Sequence, residues 1–164
     1  MKKILLFLLA SLAFVSCGVF ASTPEEDAAT AARVSRAVKD GDFVVMIQTI
    51  YPQRGMAIHS AGDYLFRYKD GVVNTRLPFF GVSDTPVFGT DESSIVLEDC
   101  AVDPAIRRTK DSYTMNFSAR VGGNTLWHIE LRIWDNGRAD ISARSASKST
   151  MNYDGELIFR DENQ

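Results

Sequence analysis

The sequence has few of the residues that enzymes most often use as metal ligands or nucleophiles. Its 164 residues include two histidines and two cysteines, and these form no HExxH, CxxC or EF-hand spacing. The G-x-S-x-G turn that positions a hydrolase serine is also absent. These absences predict a protein without a metal centre or a cofactor.

A hydrophobic run long enough to span a bilayer is missing as well. The longest such run covers residues 4–15, whereas a transmembrane helix needs about 20 apolar residues. Lys2 and Lys3 precede this run and small residues follow it, as in a secretory leader. The chain is therefore predicted to be exported to the periplasm or to the surface of the cell envelope.

Two routes of leader processing fit these residues. The sequence VFA at 19–21 favours cleavage before Ser22, which makes residues 1–21 a signal peptide. The sequence FVSC at 14–17 resembles a lipobox, which would end the leader at residue 16 and place a lipid anchor on Cys17. On either route, residues 22–164 are predicted to form a single domain.

Cysteine usage excludes an internal disulfide on both routes. Cys17 is removed or acylated, so Cys100 is the one cysteine left to the mature chain. A lone free cysteine is usually a small buried hydrophobic residue. This interpretation is favoured for Cys100 over a catalytic nucleophile.

The net charge argues against a nucleic-acid partner. The formal charge is −3, and cleavage after residue 21 removes Lys2 and Lys3 but no acidic residue, which lowers the charge by two to −5. An acidic chain is poorly suited to the phosphate backbone, and it gains little from anionic lipid. Membrane contact is accordingly predicted only through a lipid on Cys17.

One helix is predicted at the start of the mature chain. The stretch STPEEDAATAARVSRAVKDG, residues 22–41, begins with the capping residues Ser22 and Thr23 and ends at Gly41. Acidic residues near its start and Lys39 near its end suit the helix dipole. Its narrow apolar stripe indicates that the helix packs on a sheet or plugs one end of a barrel.

The rest of the chain alternates between strand patterns and turns. Apolar and polar residues alternate with a period of two, for example in 113–121 and 125–134, and short turns such as 70–71 and 135–137 separate the runs. This pattern predicts a mainly β protein, an antiparallel meander of about eight strands that forms a barrel-like or sandwich-like sheet. The segment DPAIRRTK, residues 103–110, groups three basic residues that would suit an anionic ligand or lipid headgroups, but a solvated loop that opens a hairpin is the favoured interpretation.

Four segments of the chain resemble a known family. They are DFVVMIQTIYPQRG (42–55), RLPFFG (76–81), ELRIWDNGRADISA (130–143) and MNYDGELI (151–158). Their order and spacing are similar to those of the exported Bacteroidetes family catalogued as the domain of unknown function DUF4251. The chain departs from that family at Phe79, where tyrosine is common, and at MNY in place of ISY. The resemblance implies export and a β domain with a short N-terminal helix, but it supplies no catalytic residues.

The segment RLPFFG carries the residues most suited to binding. Pro78 cannot donate to a strand ladder and Gly81 permits a bend, so the segment is predicted to be a corner where a strand ends. Its two rings, Phe79 and Phe80, are expected to face different surfaces, one towards the core and one towards the following loop. With Trp134, on the polar face of its strand near a turn, they are the candidate binding residues.

Other groupings of chemically active residues favour structural interpretations. His59, Ser60 and Asp63 are too close in sequence for a catalytic triad and suit a turn. His128 alternates onto a polar strand face beside Glu130, where a solvated side chain is the simpler interpretation. The carboxylates at turns and on outward positions are explained by solvation rather than by glycoside hydrolysis.

The predicted function is that of an exported, non-enzymatic binding or interaction domain whose partner is an unknown protein or small molecule. A carrier of a small apolar ligand in a lipocalin-like barrel is an alternative, and it requires a hollow interior. A hydrolase is a second alternative, which requires a cleft with clustered polar groups of perturbed pKa.

Overall fold

A computed structural model describes residues 22–80, 94–121 and 125–159 of the chain. In these residues one helix precedes ten strands. The helix is α1 (Pro24–Asp40), and the strands are β1 (Asp42–Tyr51), β2 (Ile58–His59), β3 (Leu65–Lys69), β4 (Val72–Pro78), β5 (Ser94–Ala101), β6 (Ala105–Arg108), β7 (Ser112–Val121), β8 (Thr125–Trp134), β9 (Arg138–Ser145) and β10 (Met151–Ile158).

The strands form one antiparallel sheet that curls into a half-barrel. Its order is β5-β4-β3-β1-β10-β9-β8-β7-β6, and the short β2 pairs with β1. Phe66 of β3 and Phe117 of β7 are far apart in this order, yet their ring centroids lie 6.3 Å apart across the interior. The prediction of a mainly β, antiparallel, barrel-like fold with an N-terminal helix is confirmed.

Two short strands correct the sequence-based prediction. The strand β2 has two residues, too few to show any periodicity. The strand β6 lies inside the segment 103–110, which the sequence presents as a solvated loop, and it pairs with β7. All four β6 side chains are exposed, so this edge strand has no apolar alternation by which its sequence could be recognised.

Helix α1 begins and ends where the sequence predicts. The Thr23 hydroxyl accepts a hydrogen bond from the Glu26 N–H at 3.2 Å, and the Glu26 carboxylate accepts one from the Thr23 N–H at 2.9 Å. This capping box satisfies two N–H groups that the helix leaves free. Gly41 ends the helix with a φ of 66°, a conformation that favours glycine. Val34 and Val38 are the buried side chains of α1, and they join the core.

A bulge in β1 interrupts its pairing with β10, and the backbones of the two strands lie close together beside it. The register with β10 shifts between Ile47 and Thr49, so both Ile47 and Ile50 face the core. On the facing strand, a Cβ at Gly155 would overlap the carbonyl oxygen of Met46. The approach of the two backbones therefore requires glycine at this position.

The two ends of the half-barrel are closed differently. At the helix end, the Tyr113 hydroxyl donates to Ser35 Oγ at 2.9 Å, and the Arg33 guanidinium carbon lies 4.1 Å from the centroid of the Phe159 ring. The strand register places the other strand ends at the opposite side of the sheet, which we call the far end. Its residues are 50–58, 77–80, 94–96, 119–121, 125–128 and 143–152.

Candidate functional site

The corner at residues 78–80 fixes one aromatic ring inside the far end. The Phe79 side chain is 7% exposed and meets Trp127 edge to face, with ring centroids 5.8 Å apart. The Lys148 Nζ lies 5.4 Å from the centroid of the Phe79 ring, within the range of a cation–π interaction. Phe79 is therefore a core residue and contributes no exposed surface.

A buried hydrogen bond ties the same corner to the middle of the sheet. The Tyr153 hydroxyl donates to the Pro78 carbonyl oxygen at 2.9 Å. Burial raises the pKa of Tyr153, so the hydroxyl remains protonated and able to donate at neutral pH. The strand β4 ends at Pro78, which agrees with the predicted strand exit.

Phe80, the next residue, turns to solvent and is 50% exposed. The two adjacent rings thus face different surfaces, as their place beside Pro78 and Gly81 predicts. Of the three residues that the sequence selects as candidate binding residues, Phe80 is the one whose side chain is exposed.

Trp134 lies away from this corner. Trp127, which packs on Phe79, and Trp134 occupy opposite ends of β8, about 23 Å apart at the rise of a strand. Trp134 is half-buried on the outer face, and the Arg132 guanidinium carbon lies 5.8 Å from the centroid of its ring. The structure therefore does not bring Trp134 and Phe80 into one surface.

Four apolar residues that no sequence motif singles out accompany Phe80 at the far end. Seven large hydrophobic residues are exposed among the described ones, and five of these belong to the far end. The other two lie nearer the helix end: Ile106 on β6 and Ile158 as the last residue of β10. The far-end apolar set consists of Tyr51, Met56, Ile58, Phe80 and Leu126. Met56 is the most exposed of them, at 87%. Its position in the turn sequence PQRGMA was the available signal, because turn segments lie on the surface.

The described far-end ranges contain basic but no acidic residues, and the Asp154 carboxylate borders them through its 2.9 Å hydrogen bond from the Tyr51 hydroxyl. The basic residues are Arg54, Arg120, Arg144 and Lys148. The helix end carries both signs: Lys69 pairs with Asp42 at 3.6 Å. There Arg108 also binds the Asp135 carboxylate through both guanidinium nitrogens, at 2.7 and 2.8 Å, and this hydrogen bonding lowers the pKa of Asp135.

The interior of the half-barrel is filled by side chains. Phe66, Trp127 and Tyr153 are at most 2% exposed, and Phe66 meets Phe117 across the interior. These rings occupy the space in which a lipocalin-like carrier holds its ligand. This packing argues against a ligand enclosed in the interior and favours the outer surface as the place where a partner binds.

Described residues of the outer face line two shallow depressions. One, of about 260 Å³, lies over β7, β8 and β9, and the other, of about 250 Å³, lies over β8, β9 and β10. In the first, Ser118 Oγ and His128 Nδ1 are 2.8 Å apart, because these residues are direct partners in the β7–β8 register. Both side chains are exposed on an open strand face, which does not exclude water as a hydrolase site does.

The second depression contains a pair of facing carboxylates. Asp140 of β9 and Asp154 of β10 are register partners. Burial, followed by the charge of Asp154 and a hydrogen bond to it, raises the pKa of Asp140. The Tyr51 hydroxyl donates to Asp154 Oδ2 at 2.9 Å, and Arg132 faces Asp140 from β8. The Asp140–Asp154 pair thus already has a hydrogen-bond donor, Tyr51, and a facing cation, Arg132, within the protein.

The remaining sequence-selected groups form no catalytic centre. The segment 59–63 makes a bend in which the Gly62 N–H donates to Ser60 Oγ at 3.1 Å, and the His59 ring contacts Thr49 Oγ1 at 3.3 Å. Cys100 is free and half-buried, and it packs against the core. In residues 22–80, 94–121 and 125–159, no group of three or more His, Cys, Asp or Glu is arranged to hold a metal ion.

The predicted leader and Cys17 lie outside the described residues. Within the part of the chain that is described, no helix is both long and apolar enough to cross a bilayer. Export and lipid attachment therefore stay predictions.

These features define a curled antiparallel half-barrel that a helix closes at one end and aromatic side chains close at the other. The family model "Domain of unknown function (DUF4251)" matches residues 25–157. The chain therefore belongs to this family, as the four sequence segments predict.

A solved relative shares this fold. The chain is similar to a DUF4251 family protein from Bacteroides eggerthii DSM 20697, known from its crystal structure, with a TM-score of 0.58 and 18% sequence identity. The match covers 80% of this chain and 89% of that one, and at this identity it shows the fold alone. No curated protein is significantly similar to the chain.

Proposed function

We propose that the protein is an exported, non-enzymatic interaction domain of the cell envelope that binds its partner on the outside of the far end. The observation that carries this proposal is the distribution of exposed apolar residues. Five of the seven large exposed hydrophobic residues that the structure describes lie at the far end. Because exposed apolar groups cost free energy in water, their collection at one end is typical of a binding surface.

The same structure supports this function over the two alternatives. The interior is occupied by rings such as Phe66 and Phe117, which disfavours a carrier of a small apolar ligand. The paired Ser118 and His128 lie on an open strand face, and β8 is paired on both sides, so its strand N–H groups are engaged in the sheet ladder. This arrangement disfavours a hydrolase, and the acidic chain disfavours nucleic acid.

Photo-crosslinking in the producing cell tests the binding surface directly. A photoreactive phenylalanine analogue placed at Phe80 is expected to give a discrete adduct. The same analogue at Ile106, which is 44% exposed on β6, is the matched control and is expected to give none. No adduct from position 80, or the same adduct from both positions, would contradict the proposal.

Mass spectrometry of the mature chain tests export and lipid attachment. A mature N-terminus at Ser22 indicates signal cleavage, and an acylated N-terminus at Cys17 indicates a lipoprotein. An intact leader in the purified envelope protein would contradict both processing routes.

A further inference from the structure

A row of side chains with polar groups crosses the outer face of the sheet, and we call it the polar row. Its members are Asn116, Glu130, Ser142, Asn152 and Tyr51, and each is the direct register partner of the next. They come from β7, β8, β9, β10 and β1, which are neighbours in that order. Because neighbouring strands lie about 4.8 Å apart, the polar row is about 19 Å long.

The two shallow depressions of the outer face form one trough along the polar row. Glu130 and Arg144 line both depressions, so the two meet at these residues. The first depression continues to Asn116 on β7, and the second continues to Asn152 on β10. The trough is therefore elongated across four strands, a shape that suits a short chain of linked units better than one compact small molecule.

The two carboxamides of the polar row are free to bind a ligand. No hydrogen bond joins the side chain of Asn116 or Asn152 to another residue within the described ranges. Each carboxamide offers both a donor and an acceptor, and a hydroxyl group also donates and accepts. A ligand with several hydroxyl groups therefore matches the hydrogen-bonding groups of the trough.

The charges that line the trough are mixed in sign. They are three carboxylates and two guanidinium groups, those of Glu130, Asp140, Asp154, Arg132 and Arg144. The guanidinium of Arg132 lies 3.5 Å from the Glu130 carboxylate, so these two charges already oppose each other. Because an ionic ligand is selected by an excess of the opposite charge, this mixture favours a neutral ligand.

An exposed aromatic ring ends the polar row at β1. The Tyr51 side chain is 39% exposed, and its hydroxyl donates to Asp154 Oδ2 at 2.9 Å. Since Asp154 lines the second depression, this bond holds the Tyr51 ring at the rim of the trough. A flat apolar ring beside polar groups suits a sugar, whose ring has an apolar C–H face and polar edges.

We propose that the trough binds a neutral oligosaccharide. The sugar hydroxyls bond to the carboxamides and charged groups along the polar row, and one sugar ring stacks on Tyr51. The face of a curved sheet serves oligosaccharides in the same way in OB-folds. This site goes beyond the proposed function, because it lies on the outer face and meets the far-end apolar set at Tyr51.

The strand pairing disfavours a peptide as the occupant of this trough. An extended peptide adds to a free strand edge, where its main chain finds hydrogen-bond partners. The strands β8, β9 and β10, which carry most of the trough, are each paired on both sides. The ligand is therefore recognised by side chains, which suits hydroxyl groups.

A glycan array tests this inference without knowledge of the natural ligand. The chain is produced as residues 22–164, which include every helix and strand of the described fold. The array presents neutral hexose, pentose and N-acetylhexosamine oligosaccharides, their monosaccharides, and uronic acid and sulfated sugars. We expect binding to neutral oligosaccharides longer than a disaccharide, and isothermal titration with the strongest of them should give an affinity about tenfold above that of its disaccharide.

Variants of the polar row locate the sugar on the trough. Asn116→Ser and Asn152→Ser are each expected to weaken binding about fivefold, because a carboxamide that bonds the ligand is lost. Tyr51→Ala is expected to weaken it about tenfold, whereas Tyr51→Phe keeps the ring and should weaken it about twofold. Circular dichroism of each variant reports whether it is folded.

Asn136→Ser is the matched control at the helix end. It removes an exposed carboxamide from the turn 135–137 and keeps an oxygen that can accept the hydrogen bond from the Arg138 N–H. We expect this variant to bind the oligosaccharide as the wild type does. An equal loss in Asn136→Ser and Asn152→Ser would overturn the assignment of the trough.

The remaining outcomes separate the trough from the far end. Binding to no sugar on the array, or to uronic acid and sulfated sugars alone, overturns the neutral oligosaccharide inference. If the array fails while the analogue at Phe80 captures a discrete adduct, the proposed function stands and the trough is a solvated strand face. If the sugar binds through the polar row while position 80 gives no adduct, the proposed function fails and this inference stands.

Discussion

The helix end and the far end solve the same problem, the closure of a curled sheet, by different means. At the helix end a whole element covers the core with Val34 and Val38, and ion pairs such as Lys69–Asp42 surround it. At the far end single side chains cover the core: Phe79 packs on Trp127, and the Tyr153 hydroxyl donates to the Pro78 carbonyl oxygen. Closure by single side chains leaves the neighbouring apolar groups uncovered, so the surface available for binding lies at the far end.

Two adjacent phenylalanines provide the sharpest test of this difference, and the largest expected effect. Phe79→Ala removes a buried ring and is expected to lower the free energy of unfolding by about 3–5 kcal/mol. Phe80→Ala removes a half-exposed ring and is expected to change it by no more than about 0.5 kcal/mol. Urea unfolding of both variants measures the contrast.

Binding of a partner, unlike stability, is expected to depend on the exposed ring of Phe80. With the photoreactive analogue placed instead at Leu126, another exposed far-end residue, Phe80→Ala should lower the crosslink yield while the variant remains folded. If the two variants were equally destabilised, Phe80 would be part of the closure, and the division between a core ring and a binding ring would be wrong.

The sequence revealed this corner because its signals are local. Proline removes a ladder donor and two rings follow it, so a strand exit with one ring on each side can be read from Pro78 to Phe80. The far-end apolar set could not be read in this way. Leu126 is distant in sequence from Tyr51 and Met56, and only the register of β1, β10, β9 and β8 brings it to the same end.

The fold itself was predictable to the extent that periodicity and caps are local. Thr23, Glu26 and Gly41 define the helix by their own chemistry, and the long strands alternate clearly. The placement of β1 between β3 and β10 is a long-range pairing that no local pattern encodes. The separation of Trp134 from Phe80 has the same cause, because strand length and register decide which ends meet.

Two tyrosine hydroxyls, one at each end, give the next largest effects. Tyr153→Phe leaves the buried Pro78 carbonyl without its donor and is expected to cost about 1–3 kcal/mol. Tyr113→Phe removes the bond to Ser35, which is only partly buried, so water replaces the lost partner and the expected cost is about 0.5–1 kcal/mol. Urea midpoints of the two variants compare the closures, and an equal cost would contradict the difference between the ends.

The same pair predicts a dependence on alkaline pH. Burial places the pKa of Tyr153 above its value in the unfolded chain, so its contribution to stability is complete below the unfolded pKa near 10 and is lost as the pH rises above it. The wild type and Tyr113→Phe are therefore expected to lose stability steeply above about pH 10. Tyr153→Phe lacks the buried ionisable group and is expected to show a shallower decline.

The outer face between the two ends gives the smallest expected effect. Asp140 and Asp154 face each other across β9 and β10, and like charges in register destabilise a sheet. The raised pKa of Asp140 means that its protonated form favours the fold, a contribution that is complete below the unfolded pKa and is lost as the pH rises through the folded pKa. Asp140→Asn is neutral at every pH, so its stability relative to wild type should increase from about pH 4 to pH 7.

The gain at neutral pH should not exceed about 0.5 kcal/mol, because both carboxylates are only partly buried and solvent screens their repulsion. Urea midpoints at acidic and neutral pH measure it, and Asp154→Asn is the matched control, since it removes the same repulsion but alters the acceptor of the Tyr51 hydroxyl. Arg132 faces Asp140 from β8. A loss of stability in Asp140→Asn at neutral pH would show that the attraction of Arg132 for the Asp140 carboxylate outweighs the combined cost of its burial and its repulsion by Asp154. The outer face would then resemble the helix end, where Lys69 pairs with Asp42 and Arg108 pairs with Asp135.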